Sequence, residues 1–230
     1  MRGADHGTRR RCLLKLTDDL YAFPWEGYEN NCNSYYLGGE VRCLIDVGHA
    51  RFVGDLLANL SADGITQAGI RLVIVTHSHP DHLEGIGRFM DLSIPVAMHP
   101  ASLEYMGKAG WMIYAFLSSR APKVELGVPL AEGPLDALDG LVTIYHTPGH
   151  EPGSVCIYWP EKRALATGDL LFAGGVGRTD FPGGSHKELM RQIGRIAELD
   201  VEYLLPGHGP ALVGSDEVAR NYEAVRRAYG

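Results

Sequence analysis

The chain has 230 residues, enough for one medium domain with a sizeable core. Hydrophobic residues make up 45% and charged residues 21%, so a disordered or fibrous class is excluded. The net charge of -7 argues against a broad basic face for nucleic acid, and no apolar run approaches the roughly 18 residues of a membrane span.

Residues 1–12 (MRGADHGTRRRC) are basic but lack an apolar stretch, so they read as a flexible tail rather than a secretory signal. Residues 13–230 read as a single domain. The cysteines, Cys12, Cys32, Cys43 and Cys156, show no CxxC spacing, and a disulfide framework is not expected. With no export signal recognised, a cytoplasmic location is expected.

In chain order, residues 20–23, 33–37 and 40–46 are expected as strands, with Gly38-Gly39 as a hairpin turn. Residues 51–60 place Phe52, Leu56, Leu57 and Leu60 on one helical face, ended by Asp63-Gly64. Residues 71–76 (RLVIVT) form a buried strand, 81–90 a helix and 96–99 a strand. Residues 102–119 have helical length and carry many aromatics and methionines. Three successive strands follow over 141–146, 154–159 and 163–167. A helix over 185–199, a strand over 203–205 and a helix over 216–228 complete the chain. The pattern implies an α+β fold, with sheets packed between helical layers.

The most informative segment is Thr76-His77-Ser78-His79-Pro80-Asp81-His82. Three histidines and an aspartate sit between a strand's C-terminal end and a helix start, where an α/β framework places reactive groups. Packing has no use for four polar groups at a strand end. His150, Asp169 and His208 each adjoin a glycine just after another expected strand. Imidazole and carboxylate suit zinc, and also iron or manganese. Seven ligands exceed one tetrahedral ion and suit two divalent ions. His77, His79 and His150 are assigned to the first, Asp81, His82 and His208 to the second, with Asp169 bridging. Asp46 is expected to support the metal-binding histidines as a hydrogen-bond acceptor. His49 is placed at the rim, and His99, His146 and His186 are given structural roles.

The order His77-x-His79-x-Asp81-His82, His150, Asp169, His208 resembles the metallo-β-lactamase superfamily. The resemblance implies an αβ/βα four-layer sandwich, two mixed β-sheets face to face with helices outside and a dinuclear metal site at one edge. Asp169 points away from the antibiotic-hydrolysing members, and His79 away from the flavodiiron branch, which carries glutamate there. Gly168-Asp169-Leu170-Leu171-Phe172, Gly177-Arg178-Thr179-Asp180-Phe181 and His146-Thr147-Pro148-Gly149-His150 are similar to the glyoxalase II and persulfide dioxygenase group. In that group Arg178 lies near the site and would contact an anionic thiol substrate; the other reading of Arg178 is a salt bridge with Asp180. Glu151 stands where the family often has threonine. The helical extension by which longer glyoxalase II enzymes hold glutathione is not expected here.

The expected function is metal-dependent hydrolysis of an ester-like carbonyl, a thioester such as hydroxyacylglutathione first and a lactone second. Zinc is favoured over iron or manganese, and Asp81 is expected to accept a proton during turnover. The alternative is a mononuclear iron persulfide dioxygenase using His77, His150 and Asp169. The expected partner is a small-molecule substrate, with no nucleic acid or membrane; a homodimer stays open. The aromatic stretch 105–116 reads either as a packed helix or interface, or as an apolar wall over the metals.

Overall fold

The computed structural model describes residues 14–117 and 119–230; the tail expected over 1–12 lies outside the described residues. The first sheet has seven strands: β1 (Leu14–Lys15), β2 (Leu20–Phe23), β3 (Ser34–Leu37), β4 (Cys43–Ile45), β5 (Leu72–Ile74), β6 (Val96–Met98) and β7 (Val128–Pro129). They lie side by side in chain order, antiparallel through β4 and parallel from β4 to β7. The second sheet draws on β8 (Gly133–Pro134), β9 (Thr143–His146), β10 (Val155–Trp159), β11 (Ala164–Gly168), β14 (Tyr203–Pro206) and β15 (Leu212–Val213). Its order is β15-β14-β11-β10-β9-β8, with β11 and β14 parallel and the other pairs antiparallel. A two-stranded ribbon, β12 (Leu171–Phe172) and β13 (Gly175–Val176), stands apart.

Successive side chains of a strand point to opposite faces, and this alternation builds three cores. Leu20, Leu37, Ile45, Leu72 and Ile74 of the first sheet meet Ile144, Val155, Ile157, Trp159 and Ala166 of the second. The intervening residues Tyr36, Leu44, Val73 and Val96 face outward, against α1 (Val53–Ala62) and the short helices α2 (Pro80–Leu83) and α3 (Gly87–Met90). Cys156, Leu165 and Leu204 face the other way, against α6 (His186–Ile196) and α7 (Ser215–Tyr229). Helix, sheet, sheet, helix is the four-layer arrangement expected. Ser185 caps α6 by accepting the Glu188 N–H, a sequence-encoded start.

The helix expected over 81–90 is interrupted by a tight turn at Glu84–Ile86, where the Gly85 N–H bonds the Gly48 carbonyl. The segment expected as one helix over 102–119 begins at Pro100 and divides into α4 (Pro100–Tyr105), a wider turn at Met106–Gly110 and α5 (Trp111–Phe116). The strand expected over 40–46 shortens to three residues because Val41 and Arg42 turn back onto the Gly38 carbonyl.

Candidate metal centre

All the candidate groups sit at the C-terminal ends of β5, β9, β11 and β14, along one edge where the two sheets converge. Hydrogen bonds stitch the sheets there: the Val155 N–H to the Thr76 carbonyl, and the Asn33 N–H to the Gly207 carbonyl at 2.7 Å. Pro80 opens α2 without needing an amide partner, and His79 stays extended just before it. Gly168 has φ +47, and a Cβ there would press to 2.7 Å from Thr76 Oγ1. Its bare backbone lets the loop carrying Asp169 close against the loop carrying His77.

The donor atoms of His77, His79 and His150 lie within 4.8 Å of one another, and so do those of Asp81, His82 and His208. These are the two groups expected from the sequence. Asp169 lies between them. Its Oδ1 is 3.2 Å from His82 Nε2 and 3.5 Å from His208 Nε2, while Oδ2 is 3.5 Å from His150 Nε2. His79 Nδ1 and His150 Nε2 approach to 2.9 Å. All are buried except Asp169 and His208, which are partly exposed.

The outer nitrogens of His77, His82 and His150 are already engaged, which fixes which nitrogen of each faces inward. His150 Nδ1 donates to the Arg178 carbonyl at 2.7 Å, and His82 Nδ1 donates to Asp46 Oδ2 at 2.8 Å. Thr76 Oγ1 donates to the same Asp46 oxygen and faces His77 Nδ1 at 3.0 Å. His77 Nε2 is left buried with no hydrogen-bond partner. A buried lone pair aimed into a cluster of imidazoles and carboxylates fits a divalent cation.

The electrostatics agree with that fit. Burial pushes His77 and His79 down, His79 to about 3, with neighbouring imidazoles adding to the fall, so both are neutral and ready to donate lone pairs. Burial also opposes charge on His82 and His208. In His82 the influence of Cys32, Asp169 and Asp46 outweighs it; in His208 the Asp169 and Asp81 carboxylates raise the group to about 9. Burial alone would raise Asp81 and Asp169, but the bonds and charges of His82 and His208 hold both well below the usual carboxylate range. The carboxylates therefore favour positive charge in the second group, which protons supply in a metal-free chain.

Asp46 supports the ligands as expected, also accepting the Thr76 N–H at 2.8 Å. His49 turns to Glu84 Oε2 at 2.7 Å. His99 stacks on His146 with centroids 4.0 Å apart, and His186 bonds the Tyr229 carbonyl. The Arg178 guanidinium makes a two-pronged pair with Asp180, at 2.7 and 2.6 Å, and covers the Phe181 ring. Its backbone carbonyl, which orients His150, was not anticipated. Of the stretch 105–116, Tyr105, Ile113 and Tyr114 are buried, whereas Trp111 and Phe116 are exposed.

Sequence reasoning missed the polar run Asn30-Asn31-Cys32-Asn33. Asn30 Nδ2 donates to Asp81 Oδ2 at 2.6 Å, and Asn33 Nδ2 ties the Pro206 and Gly209 carbonyls flanking His208. Cys32 lies among Asp46 and His82. Three asparagines in four residues were the available signal. Trp25, Tyr28, Asn30 and Asn33 line, with His208, a cavity of about 350 Å³ beside the second group.

The metallo-beta-lactamase superfamily profile matches residues 27–208. An uncharacterised Aquifex aeolicus protein is 36% identical over 126 residues; the match spans 54% of this chain and 60% of that relative. A probable metallo-hydrolase of Methanocaldococcus jannaschii is 33% identical, over 80% of this chain and 90% of its own. The hydroxyacylglutathione hydrolase GloC of Haemophilus influenzae is 27% identical over 83% and 91%. The solved structure of TTHA1623 in a di-iron-bound form superposes with a TM-score of 0.71 at 33% identity, covering 86% of this chain and 98% of that one. Sequence match, sandwich and ligand edge thus coincide, and the chain belongs to the metallo-β-lactamase superfamily.

Proposed function

We propose that the protein is a metal-dependent hydrolase with a dinuclear centre acting on an ester-like carbonyl, thioesters of the hydroxyacylglutathione class first and lactones second. The observation that carries the reading is Asp169, whose two oxygens divide between the two histidine groups. The likeness to GloC and to a di-iron-bound protein supports the substrate class and the paired site.

His77, His79 and His150 would hold one ion, Asp81, His82 and His208 the other, with Asp169 shared. Such ions supply hydroxide at neutral pH and polarise a carbonyl oxygen. The chain's own contribution is placement. Asp46 and the Arg178 carbonyl hold His82 and His150 in the tautomer that presents Nε2 inward. Asp81, ionised and steadied by the Asn30 amide, would serve the second ion as a carboxylate ligand. The cavity beside His208 is where the acyl group enters.

Elemental mass spectrometry on protein purified without added metal tests the reading, followed by thioester turnover. Two divalent ions per chain, zinc foremost, and hydrolysis abolished in Asp169→Ala are expected. One iron per chain, with oxygen uptake on glutathione persulfide in place of hydrolysis, would overturn it.

A further inference from the structure

Glu151 follows His150 directly and is completely buried, although it belongs to neither ligand group. Its two oxygens serve different segments. Oε2 accepts the Ser78 N–H at 2.5 Å, and Oε1 accepts the Gly153 N–H at 3.2 Å. Ser78 is the residue between His77 and His79. One carboxylate therefore joins the loop after β5 to the loop after β9. The same Ser78 peptide is held from its other side, where Tyr114 Oη donates to the Ser78 carbonyl at 2.7 Å. Tyr105 and Tyr114 both lie close enough to feel the Glu151 charge. Among the described residues no lysine or arginine pairs with it.

Burying a carboxylate without a cationic partner is costly and needs compensation. Two amide N–H bonds supply part of it, and a cation held by the adjacent imidazoles would supply more. Asp46 already stands behind His82, in the other group. We infer that Glu151 is a positioning residue for a metal ion held by His77, His79 and His150, acting through the Ser78 peptide that it clamps together with Tyr114; this rests on the metal-centre reading above. Only a carboxylate satisfies both N–H groups. A glutamine in its place turns an NH₂ toward one of them.

The test is zinc(II) competition against a chromophoric chelator, on the full chain and its variants. His150→Ala and His208→Ala identify which zinc equivalent belongs to which group. Glu151→Gln is expected to weaken the equivalent lost in His150→Ala by roughly ten- to a hundredfold, and to leave the other within about twofold. The Ser78 amide proton resonance is expected to move upfield. Tyr114→Phe, which keeps the charge and removes only the other half of the clamp, is expected to weaken the same equivalent by a smaller factor and serves if Glu151→Gln does not fold. Unchanged affinity in these variants, or equal weakening of both equivalents, overturns the inference. A wild-type chain that binds no zinc overturns the metal-centre reading instead.

Discussion

Adding one methyl group at Gly207 tests how tightly the centre is built. A Cβ there would clash with Asp169 Oδ1 and lie 2.7 Å from His82 Cε1. Ordinary contact begins at 3.4 Å, so the His82 ring would have to recede by about 0.7 Å. It has nowhere to go: the ring is completely buried, and Nδ1 is tied to Asp46 at 2.8 Å. Metal sites tolerate ligand displacements of roughly 0.2 Å, and catalytic constellations about 0.5 Å. The backbone itself permits alanine, because Gly207 is not among the positive-φ glycines. Gly207→Ala should therefore cost about 1–3 kcal/mol of overpacking in the metal-free protein, seen in denaturant unfolding. It should also weaken zinc at the His82 group by roughly tenfold or more in chelator competition. Two zinc ions bound with wild-type affinity and an unchanged unfolding midpoint would refute this account of the ligand edge.

Asp46→Asn removes the charge behind His82 and Thr76, three contacts of 2.8 Å each. It should cost about 1.5–3 kcal/mol in denaturant unfolding, with zinc loss concentrated at the equivalent that His208→Ala removes. The metal-free protein should also depend on pH through His208, whose ordinary value of 6.5 is raised to about 9 by Asp169 and Asp81 against the opposing effect of burial. That stabilisation is complete below about pH 6.5 and is lost as pH rises through about 9, so the metal-free melting temperature should fall across this window. Calorimetry at pH 7 in buffers of different ionisation enthalpy should record proton release on zinc binding. Ile157→Ala, at a site 1% exposed between the sheets, should cost about 2–5 kcal/mol and leave zinc stoichiometry unchanged.

The long elements and the ligand set were legible because they follow local rules. Short apolar runs bounded by turn residues marked β2, β10 and β11, and the spacing of Leu189, Ile193 and Ile196 marked α6. The two-residue strands β1, β7, β8, β12, β13 and β15 left no such pattern. Pro129 and Pro134 would even argue against a strand, yet both lie in terminal strands of their sheets, where a missing amide donor is tolerated. The division of 102–119 at Met106–Gly110 was also hidden, because π-type winding shifts which side chains share a face: Tyr105 and Tyr114 turn inward and Trp111 outward.

The sequence by itself determined the chemistry of the site: seven imidazole and carboxylate side chains, each placed just after an apolar strand. Strand ends and glycines are encoded within a few residues, so their positions can be read locally. Which group faces which was decided only by the packing of two sheets, because those contacts join residues far apart in the chain. Asp169 is brought between His82 and His150, and Asn30 onto Asp81. Glu151 reaches Ser78 across an interval of 73 residues. No local pattern encodes a buried carboxylate's partner; the need to satisfy it selects the tertiary arrangement that supplies one.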